Sequence, residues 1–445
     1  MNSKTQDNYW LKSGLINIFQ NFSGVFLGFA SFFILVRILD RNDYGTWGIF
    51  MQTVTILEIL RNGLIQNALI KFISSSDKNQ HSEIVSASFT ISSALTVLCI
   101  IINLVFASAL SNMLNAPELA RLFYLYNVVF LFSGVLTQLC CIEQANFQYT
   151  GVFVSTFIRQ FLLFAYLLFA YLLDRPIDML SLVYVQIVSV IISLASSWFF
   201  VRKFLNFTLK FSKGWMKKIF HYGKYSFGTS VSSILSGTID QWMLAALLSP
   251  AASGSFNIAV RIVNLIDIPT TAVATIVFPQ SAKRMETGGK EAIKYLYEKS
   301  VGTILAILIP AVVFIYIFDG YVITLLAGDK YADVVPILNV TLLYCLLIPY
   351  GRQFGSILDS IGKTRLTFTI VVITASLNLT LNFFFIKEFG VIGAAYATLL
   401  SNIIGFGIAQ VILKKEIGVN LFNTLIYACR FYPEFLNKYI LKKNN

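Results

Sequence analysis

Long apolar runs are the feature that most constrains the fold of this chain, and the clearest lie at residues 15–38, 152–173 and 180–201. Each run is long enough for a helix to cross the hydrocarbon core of a bilayer, which takes about 20 residues. Charged residues make up only 13% of the 445 residues, whereas a soluble domain carries roughly 25%. A soluble core of this size could not bury so much apolar surface. The sequence therefore predicts an all-α integral membrane protein.

Turn residues and charge clusters divide the chain into about twelve apolar segments, each of which is predicted to be a transmembrane helix. A further segment at residues 421–440 is only partly apolar, so it predicts an interfacial helix with a break rather than a thirteenth span. The predicted transmembrane helices lie at residues 14–37, 45–69, 84–108, 121–146, 150–173, 179–201, 221–247, 254–281, 299–318, 335–358, 366–386 and 391–413.

Lys and Arg are shared unequally between alternate loops. With the N-terminus placed in the cytoplasm, the inner segments hold 24 of these residues, the outer loops hold 6, and four arginines lie within helices. Cytoplasmic loops of membrane proteins carry an excess of Lys and Arg, so this distribution predicts that both termini are cytoplasmic. The formal net charge of +12 is explained by this topology and by anionic lipid headgroups, and no nucleic-acid partner is expected.

An internal repeat at an offset of 209 residues divides the chain in half. Residues 34–50 align with 243–259, and further on Glu58 aligns with Asp267. Six helices per half, running in the same direction, predict a parallel repeat of two six-helix lobes around a central cavity. The predicted domains are an N-terminal lobe at 1–210 with a cytoplasmic linker at 202–220, a C-terminal lobe at 211–415, and a cytoplasmic or interfacial tail at 416–445.

Polar side chains recur at spacings of three, four and seven residues, which places each set on one face of its predicted helix. Polar groups at membrane depth are costly, and they usually face a cavity or a partner helix. Small polar residues also serve to pack helices together, so both interpretations stay open. The asparagines predicted to line a polar interior are Asn21, Asn62, Asn264 and Asn378.

Ionisable side chains inside the predicted helices are the strongest candidates for a transport site. Arg61 and Arg352 lie in the cytoplasmic halves of opposite lobes, and two guanidinium groups at one depth repel each other unless an anion lies between them. Because guanidinium binds phosphate in a bidentate geometry, this pair predicts an anionic cargo. Glu58 and Asp267 lie near mid-membrane, where they would bind a proton or Na⁺ or simply hold the arginines.

Asp240 and Arg261 are predicted to lie at a similar depth within one lobe. Opposite charges at the same depth in a low-dielectric environment attract each other strongly. We therefore expect these two residues to form an ion pair whose role is mainly structural, although Asp240 is also a candidate for ion coupling.

The chain lacks the motifs of the common enzyme classes. It has no nucleotide phosphate loop, and its only histidines, His81 and His221, lie at predicted helix ends. The five cysteines have no metal-site spacing. We therefore expect no enzymatic activity and no cofactor, apart from Na⁺ or H⁺ as a coupling ion.

In several stretches the chain resembles the polysaccharide repeat-unit flippases, which are the O-antigen and capsule transporters of the multidrug/oligosaccharidyl-lipid/polysaccharide (MOP) exporter superfamily. Each stretch is loose alone, but their order and spacing are specific, and together they span nearly the whole chain. They are residues 35–48 with Leu39, Tyr44 and Gly45, residues 254–284, GDKYADVVPIL at 328–338, SIGKTR at 360–365, and residues 378–402.

This resemblance implies a flippase of the bacterial inner membrane that moves an undecaprenyl-diphosphate-linked oligosaccharide to the outer leaflet by alternating access. By motif position, Arg61, Arg261 and Arg352 would be the cavity cations that receive the diphosphate. The implied partners are the lipid-linked oligosaccharide, membrane lipids, and a polysaccharide polymerase with its chain-length proteins. The alternative is a cation-coupled multidrug antiporter of the same superfamily, which predicts acidic residues as the dominant cavity charge and is disfavoured by the four membrane arginines.

Overall fold

The computed structural model describes residues 3–146, 148–205, 212–361 and 363–436. Every regular element in these ranges is helical, so the predicted all-α fold class is confirmed. Two short 3₁₀ helices lie at Arg202–Phe204 and Asp329–Val334. The α-helices are α1 (Ser3–Ile38), α2 (Arg41–Gly63), α3 (Gln66–Ser75), α4 (Lys78–Met113), α5 (Leu119–Ala145), α6 (Thr150–Leu172), α7 (Met179–Val201), α8 (Lys213–Leu247), α9 (Pro250–Ile266), α10 (Ile268–Ile317), α11 (Asp319–Ala327), α12 (Val335–Cys345), α13 (Ile348–Ser360), α14 (Thr364–Phe389), α15 (Val391–Ile417) and α16 (Leu421–Phe435).

Eight helical segments of the described residues are long and apolar enough to cross a membrane, and nine if the bent pair of α9 and the start of α10 counts as one span. The membrane class is therefore confirmed, whereas the predicted count of about twelve spans is not. The described apolar part of α1, Phe22–Ile38, is shorter than a full span. Helix α2 is less apolar because it carries Glu58, Arg61 and Asn62 near its end.

The second predicted helix of each half is broken. The segment predicted as one helix at 45–69 is two helices, with the first ending at Gly63. The segment predicted at 254–281 is also two helices, and they are bent by 48° at Asp267. Pro269 lies in the first turn of α10, a position where its missing N–H would have had no helical acceptor. Both predictions of a single straight helix are therefore corrected.

Helix α10 continues through the segment that was predicted as a cytoplasmic loop at 283–294. The only departure from helical geometry within its 50 described backbone positions is Gly289, with φ 61° and ψ −153°. Residues other than glycine rarely adopt this backbone conformation. The predicted helix at 299–318 is thus the second half of one long element with a single-residue kink.

Contacts along the chain form two compact units. Unit 1 comprises Met1–Thr238 with Ser249–Ala251, and unit 2 comprises Ile239–Leu248 with Ala252–Asn445. In unit 1, α4 packs against α5, α1 packs against α6, and α7 packs against both α5 and α6. In unit 2, α10 packs against α13 and α16, and α14 packs against α15. The domain limits predicted from the repeat stay predictions.

The described part of the predicted tail, α16, packs along α10 in unit 2. The buried carboxylate of Glu298 on α10 accepts hydrogen bonds from the Asn420 backbone N–H at 2.8 Å and from the Asn423 side-chain amide at 2.9 Å. Further along, the Tyr432 hydroxyl donates to the Ala306 carbonyl at 2.5 Å. The first turn of α16 is thus fastened by one acidic side chain of its neighbour.

Replacing Glu298 by Ala should loosen α16 from α10, because two donors lose their shared acceptor. A buried donor without an acceptor costs about 1–3 kcal/mol. Hydrogen exchange of residues 421–436 should therefore become about tenfold faster or more. Glu291→Ala is the matched control, since Glu291 lies on the same helix and its side chain is 84% exposed. Equal exchange in the two variants would contradict the role assigned to Glu298.

Candidate functional site

In unit 1, Glu58 on α2 pairs with an arginine that was not among the predicted site residues. The Arg159 Nη2 atom on α6 lies 3.5 Å from the Glu58 Oε1 atom, and the two side chains are 31% and 17% exposed. The pair therefore neutralises two intramembrane charges that would each be costly alone. The arginine that Glu58 contacts is thus Arg159 rather than Arg61. Whether Glu58 also binds a proton or Na⁺ stays a prediction.

Arg61 is buried inside unit 1, with 1% of its surface exposed. Its Nη1 atom donates to the Phe130 carbonyl at 2.8 Å and to the Ser133 hydroxyl at 3.2 Å, and its Nε atom donates to the Asn62 side chain at 3.1 Å. Gly134 of α5 lies beside it, where a Cβ would be 3.4 Å from Arg61 Nη1 and 2.8 Å from the Thr96 hydroxyl. Arg61 thus fastens α2 to α5, and in this conformation its charge is not presented to a ligand.

In unit 2, Asp267 pairs with Arg352 across 2.5 Å, joining the junction of α9 and α10 to α13. The Arg352 side chain is 40% exposed, whereas Asp267 is 9% exposed. The second carboxylate oxygen, Asp267 Oδ1, is buried and has no hydrogen-bond donor among the described residues. The sequence left open that Asp267 holds an arginine, and in the structure the arginine that it contacts is Arg352. A half-exposed guanidinium is thereby held in place with part of its surface accessible.

The structure does not bring Asp240 and Arg261 together as an ion pair among the described residues. The Asp240 carboxylate accepts from the Asn382 amide at 2.6 Å and from the Thr398 hydroxyl at 2.8 Å. The Arg261 Nε atom donates instead to the Asn257 side chain at 3.0 Å. The expected structural pair is therefore corrected, and Asp240 lies among neutral polar groups.

The four predicted cavity asparagines have different environments. Asn62 accepts from Arg61 within unit 1. In unit 2, the Asn378 amide lies 3.3 Å from the hydroxyl of Ser401, which places it beside the Asp240 cluster. Asn264 is exposed, whereas the side chain of Asn21 lies outside the described residues.

Sequence reasoning did not name Arg159 and Thr398 as site residues, whereas it placed Asn382 on one polar helix face with Asn378. A signal was present for two of these three residues, because Arg159 is one of the four membrane arginines and Asn382 lies one helical turn after Asn378. Thr398 carries no such signal. Its contact with Asp240 exists only because α15 packs in the same unit as the end of α8.

Similarity to known sequences covers most of the chain. Residues 34–336 match a family described as polysaccharide biosynthesis protein. The lipopolysaccharide biosynthesis protein WzxC of Escherichia coli K12 is 21% identical over 390 residues, covering 87% of this chain and 75% of WzxC. The probable low-salt glycan biosynthesis flippase Agl15 of Haloferax volcanii is 25% identical over 185 residues, covering 42% of this chain and 39% of Agl15.

Solved structures share the fold. An inward-facing multidrug resistance transporter of the MATE family, in the MOP superfamily, aligns with a TM-score of 0.77 at 16% identity, covering 89% of this chain and 94% of that one. The lipid II flippase MurJ in an inward closed conformation aligns with a TM-score of 0.74 at 16% identity, covering 98% of this chain and 94% of that one. This structural similarity confirms the fold class that the sequence resemblance implies. At 16% identity it does not indicate which cargo the chain carries.

Arg352→Gln should destabilise the protein more than Asp267→Asn, because it leaves the buried carboxylate without its cation. In Asp267→Asn the half-exposed guanidinium can turn to another partner. The double variant should recover about 1 kcal/mol relative to the sum of the single changes. Thermal unfolding in detergent measures all three variants. Strictly additive effects would show that the two side chains do not depend on each other.

Proposed function

The chain belongs to the polysaccharide biosynthesis protein family, and we propose that it is a flippase that moves a lipid-linked oligosaccharide repeat unit to the outer leaflet of a bacterial cytoplasmic membrane. The observation that carries this proposal is the family match over residues 34–336. The relatives named for lipopolysaccharide biosynthesis and as a glycan biosynthesis flippase point the same way. The cargo is an oligosaccharide on undecaprenyl diphosphate, carried by alternating access, and it serves O-antigen, capsule or exopolysaccharide synthesis.

Arg352 is the residue best suited to receive the diphosphate. Its guanidinium is half-exposed and already oriented by Asp267, and guanidinium matches the geometry of phosphate oxygens. A diphosphate would compete with Asp267 for the same donors, so the cargo could replace the carboxylate without leaving an unpaired arginine. Release would restore the ion pair. The pair therefore supports binding that is specific and reversible.

Arg261 is a second cation of unit 2 that fits this role, because it is exposed and its Nε atom is held by Asn257. Arg61 fits less well, since its guanidinium is buried and bonded to α5. We assign Arg61 the task of holding α2 in position, and the diphosphate contacts to Arg352 and Arg261.

Asp240 is the residue best suited to couple the cycle to Na⁺ or H⁺. Its carboxylate is buried and contacts amide and hydroxyl groups rather than a cationic side chain in the described ion pairs. A buried carboxylate without a cation is unstable unless it takes up a proton or a cation. The Asn382 Oδ1 atom is also buried with no donor among the described residues, so oxygen ligands are available beside the carboxylate.

The orientation with both termini in the cytoplasm is supported by the excess of Lys and Arg in the inner loops. The polymerase and chain-length proteins stay predicted partners. The alternative, a cation-coupled multidrug antiporter, is supported only by the fold shared with a multidrug transporter at 16% identity. The family match favours the flippase.

Arg352→Ala should stop export of the lipid-linked repeat unit while the protein still reaches the membrane. Arg352→Lys should restore only part of the export, because an ammonium group lacks the planar fork of guanidinium. Both are measured in cells lacking the native gene, as surface polysaccharide per membrane-inserted protein. Arg61→Ala should instead lower the amount of inserted protein.

Arg430→Ala is the matched control for these variants, because Arg430 is an exposed arginine of α16. Full surface polysaccharide in Arg352→Ala would remove Arg352 from the cargo path. The flippase itself is tested in the deletion strain, where lipid-linked repeat units should accumulate. Drug sensitivity without such accumulation would favour the antiporter.

Asp240→Asn should uncouple transport from the ion gradient, since asparagine neither binds a proton nor supplies a negative charge to Na⁺. Purified protein in liposomes, with a Na⁺ or pH gradient imposed, measures the rate at which the cargo crosses. For Asp240→Asn, the cargo should cross at the same rate with and without the imposed gradient. Asp359→Asn, at a half-buried position of α13, should respond to the gradient as the native chain does. A gradient response in Asp240→Asn would exclude Asp240 as the coupling site.

A further inference from the structure

We propose that unit 1 carries a binding site for one anionic phospholipid of the cytoplasmic leaflet, formed where the start of α8 packs against α3. The site is a pocket of about 550 Å³ whose lining includes two lysines and no acidic residue. None of its lining residues is assigned to cargo or coupling, and the site does not depend on the proposed flippase activity. The lining residues are Phe72, Gly214, Lys217, Lys218, His221 and Tyr222.

The pocket is a built feature because the start of α8 is fixed in place. Ile219 is fully buried and packs with Ala68 of α3 and Ala87 of α4. One turn later, Gly223 lies so close to the break between α2 and α3 that a Cβ there would overlap the Leu64 carbonyl. These contacts anchor one face of the helix. The opposite face must therefore present its lysines outward.

Aromatic rings form the apolar part of the pocket. The Phe72 ring packs edge-on against Trp215 at 5.6 Å and against Tyr222 at 5.8 Å between centroids. Aromatic side chains of this kind prefer the level of the lipid headgroups, where an apolar ring can lie beside polar groups. A glycerol backbone and the first carbons of an acyl chain are the groups that such a surface binds.

Cationic side chains surround the rings. Lys217 and Lys218 are adjacent and exposed, and the Lys218 Nζ atom lies 4.2 Å from the centre of the Trp215 ring. Lys71 of α3 lies at the same distance, 4.2 Å, over the Tyr222 ring. An ammonium over a ring keeps its charge and is held in position. Two lysines thus line one small volume, which a lipid phosphate would fill, and a third lysine lies over the Tyr222 ring that lines it.

The charge of the pocket selects an anionic lipid over a zwitterionic one. Residues 202–224 hold seven Lys and Arg, the highest number in any predicted inner loop, and cytoplasmic leaflets are where such segments meet anionic headgroups. A zwitterionic lipid would bring its own ammonium group against these lysines, which would repel it. The occupant we assign is therefore a phospholipid with net negative charge.

Native mass spectrometry of the full chain tests this site, with phosphatidylglycerol and phosphatidylethanolamine as the two probes. The native chain should retain one phosphatidylglycerol in preference to phosphatidylethanolamine. Replacing both lysines in Lys217→Gln/Lys218→Gln should weaken phosphatidylglycerol binding about 30-fold. Phe72→Ala should also weaken it, although it leaves the net charge unchanged.

The matched control is Lys414→Gln/Lys415→Gln, which removes two adjacent exposed lysines at the end of α15. This variant has the same net charge as the first and should bind phosphatidylglycerol as the native chain does. Equal weakening in the two double variants would show that only diffuse charge is involved and would overturn the site. Equal retention of both lipids by the native chain would overturn its selectivity for anionic lipid. Because this measurement involves no transport, a failed flippase assay would not affect it.

Discussion

A charged side chain inside a membrane helix has no water to solvate it, so a partner within its own reach must do so. Both units meet this requirement with an acidic residue on the broken second helix of their half. Glu58 pairs with Arg159 in unit 1, and Asp267 pairs with Arg352 in unit 2. Each pair also joins two helices that are distant in sequence. The positions of α2, α6 and α13 therefore depend on charge neutralisation as well as on apolar packing.

The same requirement separates the arginines by role. Arg61 donates from Nη1 to carbonyl and hydroxyl groups of α5. Its Nη2 atom has no acceptor among the described residues, but the side chain is buried, so a ligand cannot reach it without breaking the packing. Arg352 is bonded to a single carboxylate and keeps much of its side chain exposed. Under the proposed function, an anionic cargo would replace that carboxylate at little net electrostatic cost. A cation that bound the cargo without a competitor would release it too slowly.

The start of α8 and helix α16 are two of the described segments that are not full spans. The start of α8 is anchored by Ile219 and turns its lysines outward, while α16 is fastened to α10 by Glu298. Both segments are amphipathic, and both leave large hydrophobic side chains exposed, among them Phe220 and Phe422. Such surfaces are stable at the boundary of a bilayer, where apolar groups enter the lipid and cationic groups meet phosphate. The spans and the surface segments thus serve different contacts with the membrane.

The length of the apolar runs, the asymmetry of Lys and Arg, and the order of the family stretches are properties of the linear chain. They were therefore sufficient for the membrane class, the all-α fold and the family resemblance. The breaks at Gly63 and Asp267 could not be placed, because an apolar helix with one irregular turn keeps nearly the same composition as a straight one. The partners of the charged residues could not be assigned either. Depth along a helix leaves several candidates, so Asp240 was matched with Arg261 by depth alone. Packing brought Asn382 and Thr398 to it instead, because the choice depends on which helix faces turn toward each other in three dimensions.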